Sequence, residues 1–298
     1  GLSAMPSQRA LGHGQLVRPL LNVSRAELET YARAHQLRWI DDPSNQDRQF
    51  SRNYLRHQVL PSLTERWPQA QATMARSAGH LREAQELLDE LAQIDLAAAT
   101  GSNDFAWLGL PSLDLAPLQN LSAARRRNAL SCWLNQRTRM PDSDHWSGWE
   151  DLRDATGDAR PIWRLADGEL HRSAGRIWWL SGPWLRTPSM VASWLNPESS
   201  LMLPDNGLLT LSGQIPGGPL HIRYRQGGEV MHLPERGHRD LKRLLNERGV
   251  PSFVRGRLPL LYRADQLLAV AGLRGLNGEA GEGWNLHWQP PSEDQGLS

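Results

Sequence analysis

The stretch Trp39-Ile-Asp-Asp-Pro-Ser-Asn-Gln-Asp-Arg-Gln-Phe-Ser-Arg-Asn-Tyr-Leu-Arg56 most constrains the fold, because a firm polar turn separates two helical patterns there. Pro43 fixes its own φ, and Asp42, Ser44 and Asn45 have short side chains that bond nearby backbone. A turn of this kind presents polar groups at a fixed point on a surface. Upstream, Ser24 with Glu27 three residues on is a capping box that starts a helix running to about Gln36. Downstream, the pattern predicts a helix from about Ser51 to Leu60, stopped at Pro61, with Asp47 or Ser51 as its N-cap. Arg52 and Arg56 stand four apart on this helix, and Asn53 and Arg56 three apart. The turn therefore reads in two ways. It caps a helix, or its acids, Asp41 and Asp42, face a small basic cluster suited to a polyanionic substrate and a metal ion or amine.

Further along, a long surface helix is expected from about Gln69 to Ala98, then helices at 122–136 and 143–155. Arg125, Arg126 and Arg127 lie in the first of these two, as a solvated face or as an RNA contact. Short strands at 161–165, 169–173 and 176–180 are joined at Asp167-Gly168 and Ala174-Gly175. A proline- and serine-rich linker follows. Beyond it come strands near 201–203, 208–211, 220–224, 260–262 and 266–270, with one helix at 240–248 closed by Gly249 and Pro251. The last ten residues are expected to be disordered.

With 298 residues the chain exceeds a single core. Its one cysteine, Cys132, excludes an internal disulfide and a cysteine-based zinc site, and its setting in a helical pattern suits a buried structural thiol. The histidines show no metal-ligand spacing, so no protein metal site is expected from these residues. No apolar run approaches the about 20 residues of a membrane helix, and no signal-peptide pattern opens the chain. These features favour the cytoplasm and no membrane partner. Of the thirteen tryptophans most, such as Trp178 and Trp179, are assigned to core packing. All basic side chains but Lys242 are arginine, which suits phosphate through its planar fork or reflects a GC-rich genome. Between residues 220 and 262, nine Arg and Lys stand against four acids. Leu241, Leu244 and Leu245 form the inner face of the helix there, with Arg236, Arg239, Lys242 and Arg243 outside it or at its start. Such a surface binds phosphates without sequence preference, or is an ordinary solvated face.

Four blocks in order, Arg18-Pro-Leu-Leu, Ser24-Arg-Ala-Glu-Leu, Leu37-Arg-Trp-Ile-Asp-Asp-Pro-Ser-Asn-Gln-Asp and Arg52-Asn-Tyr-Leu-Arg, resemble the bacterial tRNA(Ile)-lysidine synthetases. Arg239-Asp-Leu-Lys-Arg-Leu-Leu-Asn-Glu-Arg-Gly-Val-Pro with Leu258-Pro-Leu-Leu resembles that family's C-terminal domain, so the likeness spans Gly1 to about Gly272. The resemblance implies a mixed α/β and α+β architecture. Residues 1–66 would be the C-terminal part of a PP-loop nucleotide-binding domain, and 67–182 a helical substrate-binding domain with a small antiparallel sheet. Residues 183–199 would be a linker, and 200–290 a small α+β tRNA-binding domain. The implied activity is ATP-dependent attachment of lysine to C2 of the wobble cytidine of the CAU-anticodon isoleucine tRNA, through an adenylated base. ATP and Mg²⁺ are the implied cofactors, and that tRNA and free lysine the partners. The family is commonly dimeric, so a homodimer is expected by resemblance, while the residues leave the oligomeric state open.

On the matching positions, Asp42 and Asn45 carry over as catalytic residues. Asp41, Arg52, Asn53 and Arg56 carry over as substrate-binding, the last three also as possible braces of the turn through Asp42. One departure stands out. The family's Ser-Gly-Gly-x-Asp-Ser loop, which cradles the ATP phosphates, does not occur in this sequence, and Gly1-Leu-Ser-Ala-Met resembles the last part of the catalytic domain. The chain is therefore expected to lack the first part of that domain, through which ATP and Mg²⁺ would mainly bind, and to be inactive alone. A non-enzymatic tRNA-binding module and another PP-loop tRNA-modifying enzyme are the competing readings.

Overall fold

The computed structural model describes residues 5–40, 42–156, 159–188, 192–233, 237–278 and 283–292. The chain forms two compact units, Gly1–Glu90 and Leu91–Ser298.

In the first unit, β1 (Gln8–Leu11) and β2 (Gly14–Val17) form an antiparallel hairpin that the sequence reading did not anticipate. Helix α1 (Arg25–Ala34) starts as expected. Glu27 N–H donates to Ser24 Oγ at 3.2 Å, and Ser24 N–H to Glu27 Oε2 at 2.7 Å. A 3₁₀ turn covers Pro43–Gln46. The following helix departs from expectation at both ends. Neither Asp47 nor Ser51 caps it: the N-cap position is Phe50, without a side-chain cap, and Asp47 instead accepts from Gln49 N–H at 2.9 Å. Nor does Pro61 stop it. Helix α2 (Ser51–Tyr54) passes through one wide π turn, Leu55–Val59, into α3 (Leu60–Arg66). Leu60 N–H reaches back to Leu55 O, and the widened turn sits where a proline ring and missing N–H would break an α-helix. Among the described residues of 5–90, only Asn53 is buried. Helix α4 (Ala70–Ala99) completes the unit and continues into the second.

The second unit holds β3 (Ser112–Asp114), α5 (Leu115–Gln119), α6 (Ala123–Leu134) and α7 (Ser147–Asp154). The expected meander follows as β4 (Ile162–Arg164), β5 (Glu169–Ser173) and β6 (Arg176–Leu180). The four strands form one antiparallel sheet, ordered β3-β6-β5-β4. Ala174 and Gly175 both have positive φ, as the tight β5–β6 turn requires. Gly168 is there for another reason, because a Cβ would overlap the Trp179 ring and the Leu180 carbonyl.

Strand β7 (Ala192–Trp194) lies in the segment expected to be a linker and edges a six-stranded sheet. Next come β8 (Leu201–Leu203), β9 (Gly207–Gly213), β10 (Leu220–Arg223), β11 (Val230–Leu233) and β12 (Gly237–Asp240). Helix α8 (Leu241–Glu247), β13 (Leu260–Arg263), β14 (Gln266–Val270) and β15 (Trp284–Gln289) complete the chain. The large sheet runs β12-β11-β14-β13-β10-β7, with β11 and β14 parallel, and a second sheet runs β15-β9-β8. Of the last ten residues, Gln289 ends β15 and the Pro291 carbonyl accepts from Trp184 Nε1 at 2.9 Å; 293–298 lie outside the described residues.

All five residues of β6 are buried, and the four apolar ones alternate between two cores. Ile177 and Trp179 join Leu118, Leu130, Leu134 and Leu152 in a core under the helices. Trp178 and Leu180 join Ile222, Leu244, Leu261 and Val270 in the core of the large sheet. A strand apolar on both faces is what a period of two gives when each face has a layer to cover.

Candidate functional site

The Asp42 turn is built from local hydrogen bonds. Asp42 is the N-cap of the 3₁₀ turn, and its Oδ1 accepts from Ser44 N–H at 2.9 Å. Asn45 N–H donates to Asp42 O at 3.0 Å, and Asp47 N–H to Ser44 O at 3.1 Å. The hydrogen bonds from Ser44, its backbone N–H foremost, hold the exposed Asp42 carboxyl below the usual aspartate value. Asp42 is thus an exposed carboxylate at neutral pH. Asn45 is exposed beside it.

The brace comes from the next helix. Asn53, 8% exposed, donates through Nδ2 to Ser44 O at 2.8 Å and to Asp47 O at 2.9 Å. Bracing therefore runs through these two carbonyls rather than through Asp42 as expected. His57, which the sequence reading missed, adds a contact from Nε2 to Asn45 O at 3.1 Å. The π turn brings His57 and Arg56 into play one widened turn after Asn53, and Arg56 is half-buried while Arg52 is exposed. Among the described residues neither arginine forms an ion pair with Asp42. Asp41 lies outside the described residues.

In the second unit, Asp240 caps α8 by accepting from Arg243 N–H at 2.9 Å, and Leu241, Leu244 and Leu245 face inward as expected. Lys242 and Arg243 are exposed, with Arg243 paired to Glu247 at 3.0 Å. Arg239 is exposed on β12, an edge strand, opposite Met231, and Arg236 lies outside the described residues. Of the triple arginine of α6, Arg125 and Arg127 are exposed and Arg126 is half-buried, and each has a partner within the chain. Arg125 grips the buried Asp95 through two bonds of 3.2 and 2.6 Å, Arg126 donates to Leu121 O, and Arg127 lies over the Trp146 ring at 5.3 Å. An open pocket of about 450 Å³, not foreseen from sequence, has Arg139, His145 and Arg164 among its lining residues.

Comparison with known proteins bears on all these regions. Residues 1–63 match the PP-loop domain family, 113–178 the TilS substrate binding domain and 220–288 the TilS substrate C-terminal domain. A tRNA(Ile)-lysidine synthase of Pseudomonas fluorescens (strain Pf0-1) is 72% identical over 297 residues, covering 100% of this chain and 67% of that protein. The chain belongs to the tRNA(Ile)-lysidine synthase family. A synthase of Coxiella burnetii is 36% identical over 310 residues, covering 98% of this chain and 66% of its own length. The chain thus spans about two thirds of the curated synthases it matches. A crystal structure of the TILS C-terminal domain matches at 22% identity over 35% of this chain and 99% of its own, with a TM-score of 0.27.

Synthases of this family are ATP-dependent ligases built on a PP-loop domain. The Asp42 turn and its Asn53 brace fall inside the PP-loop match, and α8 inside the C-terminal match. No three His, Cys, Asp or Glu side chains among the described residues converge to share a metal ion, and no Ser-Gly-Gly-x-Asp-Ser loop occurs in the sequence.

Proposed function

We propose that the chain serves lysidine formation, the joining of lysine to C2 of the wobble cytidine of the CAU-anticodon isoleucine tRNA. The observation that carries this reading is the braced Asp42 turn lying within the PP-loop match of a chain so close to named synthases. Asp42 is assigned to the lysine ammonium. A carboxyl held below its usual value is a weak base but a lasting anion, so it anchors the amine rather than pulling off its proton. Asn45 orients the amine or the base, and Asp41, Arg52 and Arg56 contact the anticodon region, with Asn53 holding the platform. Arg236, Arg239, Lys242 and Arg243 contact tRNA phosphates. ATP and Mg²⁺ complete the reaction outside these residues, and a cytoplasmic homodimer is the working assembly. Residues 1–66, 67–182 and 200–290 are assigned as its catalytic, substrate-binding and tRNA-binding regions.

The test is tRNA binding by the 298-residue chain across a salt series. The expected outcome is an affinity falling linearly with salt on logarithmic axes. Replacing Arg239 or Lys242 by Gln should lower the slope by about one each without changing preference among sequences. Unchanged slopes would leave the basic helix an ordinary solvated face. The exposed Arg239 and Lys242 also fit a second reading, a tRNA-binding module without chemistry. Release of AMP when the chain is mixed with ATP, lysine and the tRNA would eliminate it.

A further inference from the structure

The segment between α6 and α7 faces the end of β4 across the open pocket of about 450 Å³, whose lining lies within the substrate binding match at 113–178. Asp167, in the turn after β4, clamps the two walls together. Its Oδ2 accepts from Thr138 Oγ1 at 2.9 Å and from Arg139 N–H at 3.2 Å, and its own N–H donates to Thr138 Oγ1 at 3.3 Å. Thr138 is 7% exposed, so these bonds are shielded from water. On one wall Leu165 N–H donates to Gly168 O at 2.9 Å, and on the other His145 N–H donates to Asp142 O at 3.0 Å. The pocket is therefore preformed, as small-molecule sites usually are.

The lining is chemically divided. Met140, Pro141 and Leu165 are half-buried and supply an apolar wall. Arg139, Asp142 and His145 line the same pocket, are exposed, and have no side-chain hydrogen bond or ion pair among the described residues. Arg164 is already committed through Nε to Glu169 Oε1 at 3.1 Å. The free guanidinium and the imidazole suit an anion, the carboxylate suits an amino group, and the apolar wall suits a flat ring. A bare phosphate would leave the wall unmatched and be repelled by Asp142. An amino acid would satisfy both charges but fill little of a space this size. A nucleotide brings all three parts at the right scale: a phosphate, a ring face and an exocyclic amine.

We propose that this pocket is a nucleotide subsite. The base lies against Met140, Pro141 and Leu165 with its amino group on Asp142, and Arg139 and His145 hold the phosphate. The occupant is a nucleotide swung out of the tRNA or a free mononucleotide. The first source rests on the tRNA reading above, and the second does not.

The test is the same salt series, with calorimetric titration by AMP and CMP beside it, on the 298-residue chain and its R139Q, D142A and A166W variants. R139Q should weaken tRNA binding about tenfold at low salt and lower the slope by about one. A166W, which fills the pocket from an exposed position on its wall, should weaken binding by a similar factor. D142A decides by sign, because losing an acid tightens RNA binding on a plain phosphate-binding surface but weakens it here. If A166W melts early, D142A alone keeps the outcomes apart. Loss of tRNA affinity in all variants assigns the pocket to an RNA nucleotide. Mononucleotide binding that the variants abolish, with tRNA affinity intact, assigns it to a free nucleotide. Weaker tRNA binding in R139Q with tighter binding in D142A marks an ordinary phosphate contact, and overturns the subsite while sparing the tRNA reading. A wild-type chain with no salt-dependent tRNA binding overturns that reading, and absence of mononucleotide binding then overturns the subsite too. Variants that change neither titration also overturn it.

Discussion

Asn53 donates both of its bonds to carbonyls nine and six residues upstream, so one amide fixes the shape of the turn that carries Asp42. Asn53→Ala should cost about 1–3 kcal/mol locally, since two carbonyls lose their donor. The expected readout is faster amide hydrogen exchange across 43–47, with the rest of the chain unchanged; equal exchange in both proteins would deny Asn53 its bracing role. The Arg-Asn block was legible in the sequence as polar and important, but its role was not, because spacing shows which residues share a helix face and not which upstream carbonyls they meet. Arg257 illustrates the same limit. It reads as one more surface cation, yet it is 4% exposed and bonds the carbonyls of Pro183, Trp184, Arg186 and Asp205 as well as Asn206 Oδ1. Burial pushes its pKa down to about 10, still protonated at neutral pH. Arg257→Ala strands these carbonyls and should lower stability by about 3–5 kcal/mol. In calorimetry that is a Tm drop on the order of 10 °C for a unit of this size.

At the scale of elements, periodicity and caps located most helices and the β4–β6 meander, because those signals are local. Where they failed, a longer-range cause is visible. Pro61 was read as a stop, but a π turn ahead of it accommodates the ring and carries the helix to Arg66. Strands β11 and β12 escaped notice because polar residues such as His232, His238 and Arg239 interrupt their apolar pattern, which the edge position of β12 tolerates. The two tryptophans of β6 were rightly assigned to core, though not to different cores. Trp178→Ala and Trp179→Ala should each cost about 3–5 kcal/mol. Although the side chains point opposite ways, both changes should shift one common calorimetric transition. Two separable transitions, each sensitive to one tryptophan, would show that the cores unfold independently.

Across the whole molecule the two units differ in kind. The second has two continuous apolar cores, whereas among the described residues of the first only an asparagine is buried. The sequence pointed to several regions from composition and motif order, but whether neighbouring regions share an interior depends on three-dimensional contacts that no single segment encodes. One such contact is titratable. His171 lies between Glu169, at 2.9 Å, and the Phe253 ring. Burial foremost lowers its pKa, Glu169 opposes this, and Arg164 adds to it. A base with a depressed folded pKa binds fewer protons folded than unfolded. Its stabilisation is therefore complete above the unfolded value of about 6.5 and is lost as pH falls through it towards the folded pKa. The Tm should drop between pH 7.5 and 5.5, and less so in His171→Gln; parallel curves would remove His171 as the cause.

Strand β6 also sets a rule for anyone exchanging parts between synthases. A chimera joined just after Leu180 would give the grafted sheet a wall of foreign Trp178 and Leu180, and a join before Arg176 would do the same to the helices through Ile177 and Trp179. Leu108 and Leu110 belong to the large-sheet core as well, although they lie some seventy residues upstream of it. The transplantable piece is therefore the whole of this unit, and sequence variation on one side of β6 has to be matched by variation on the other.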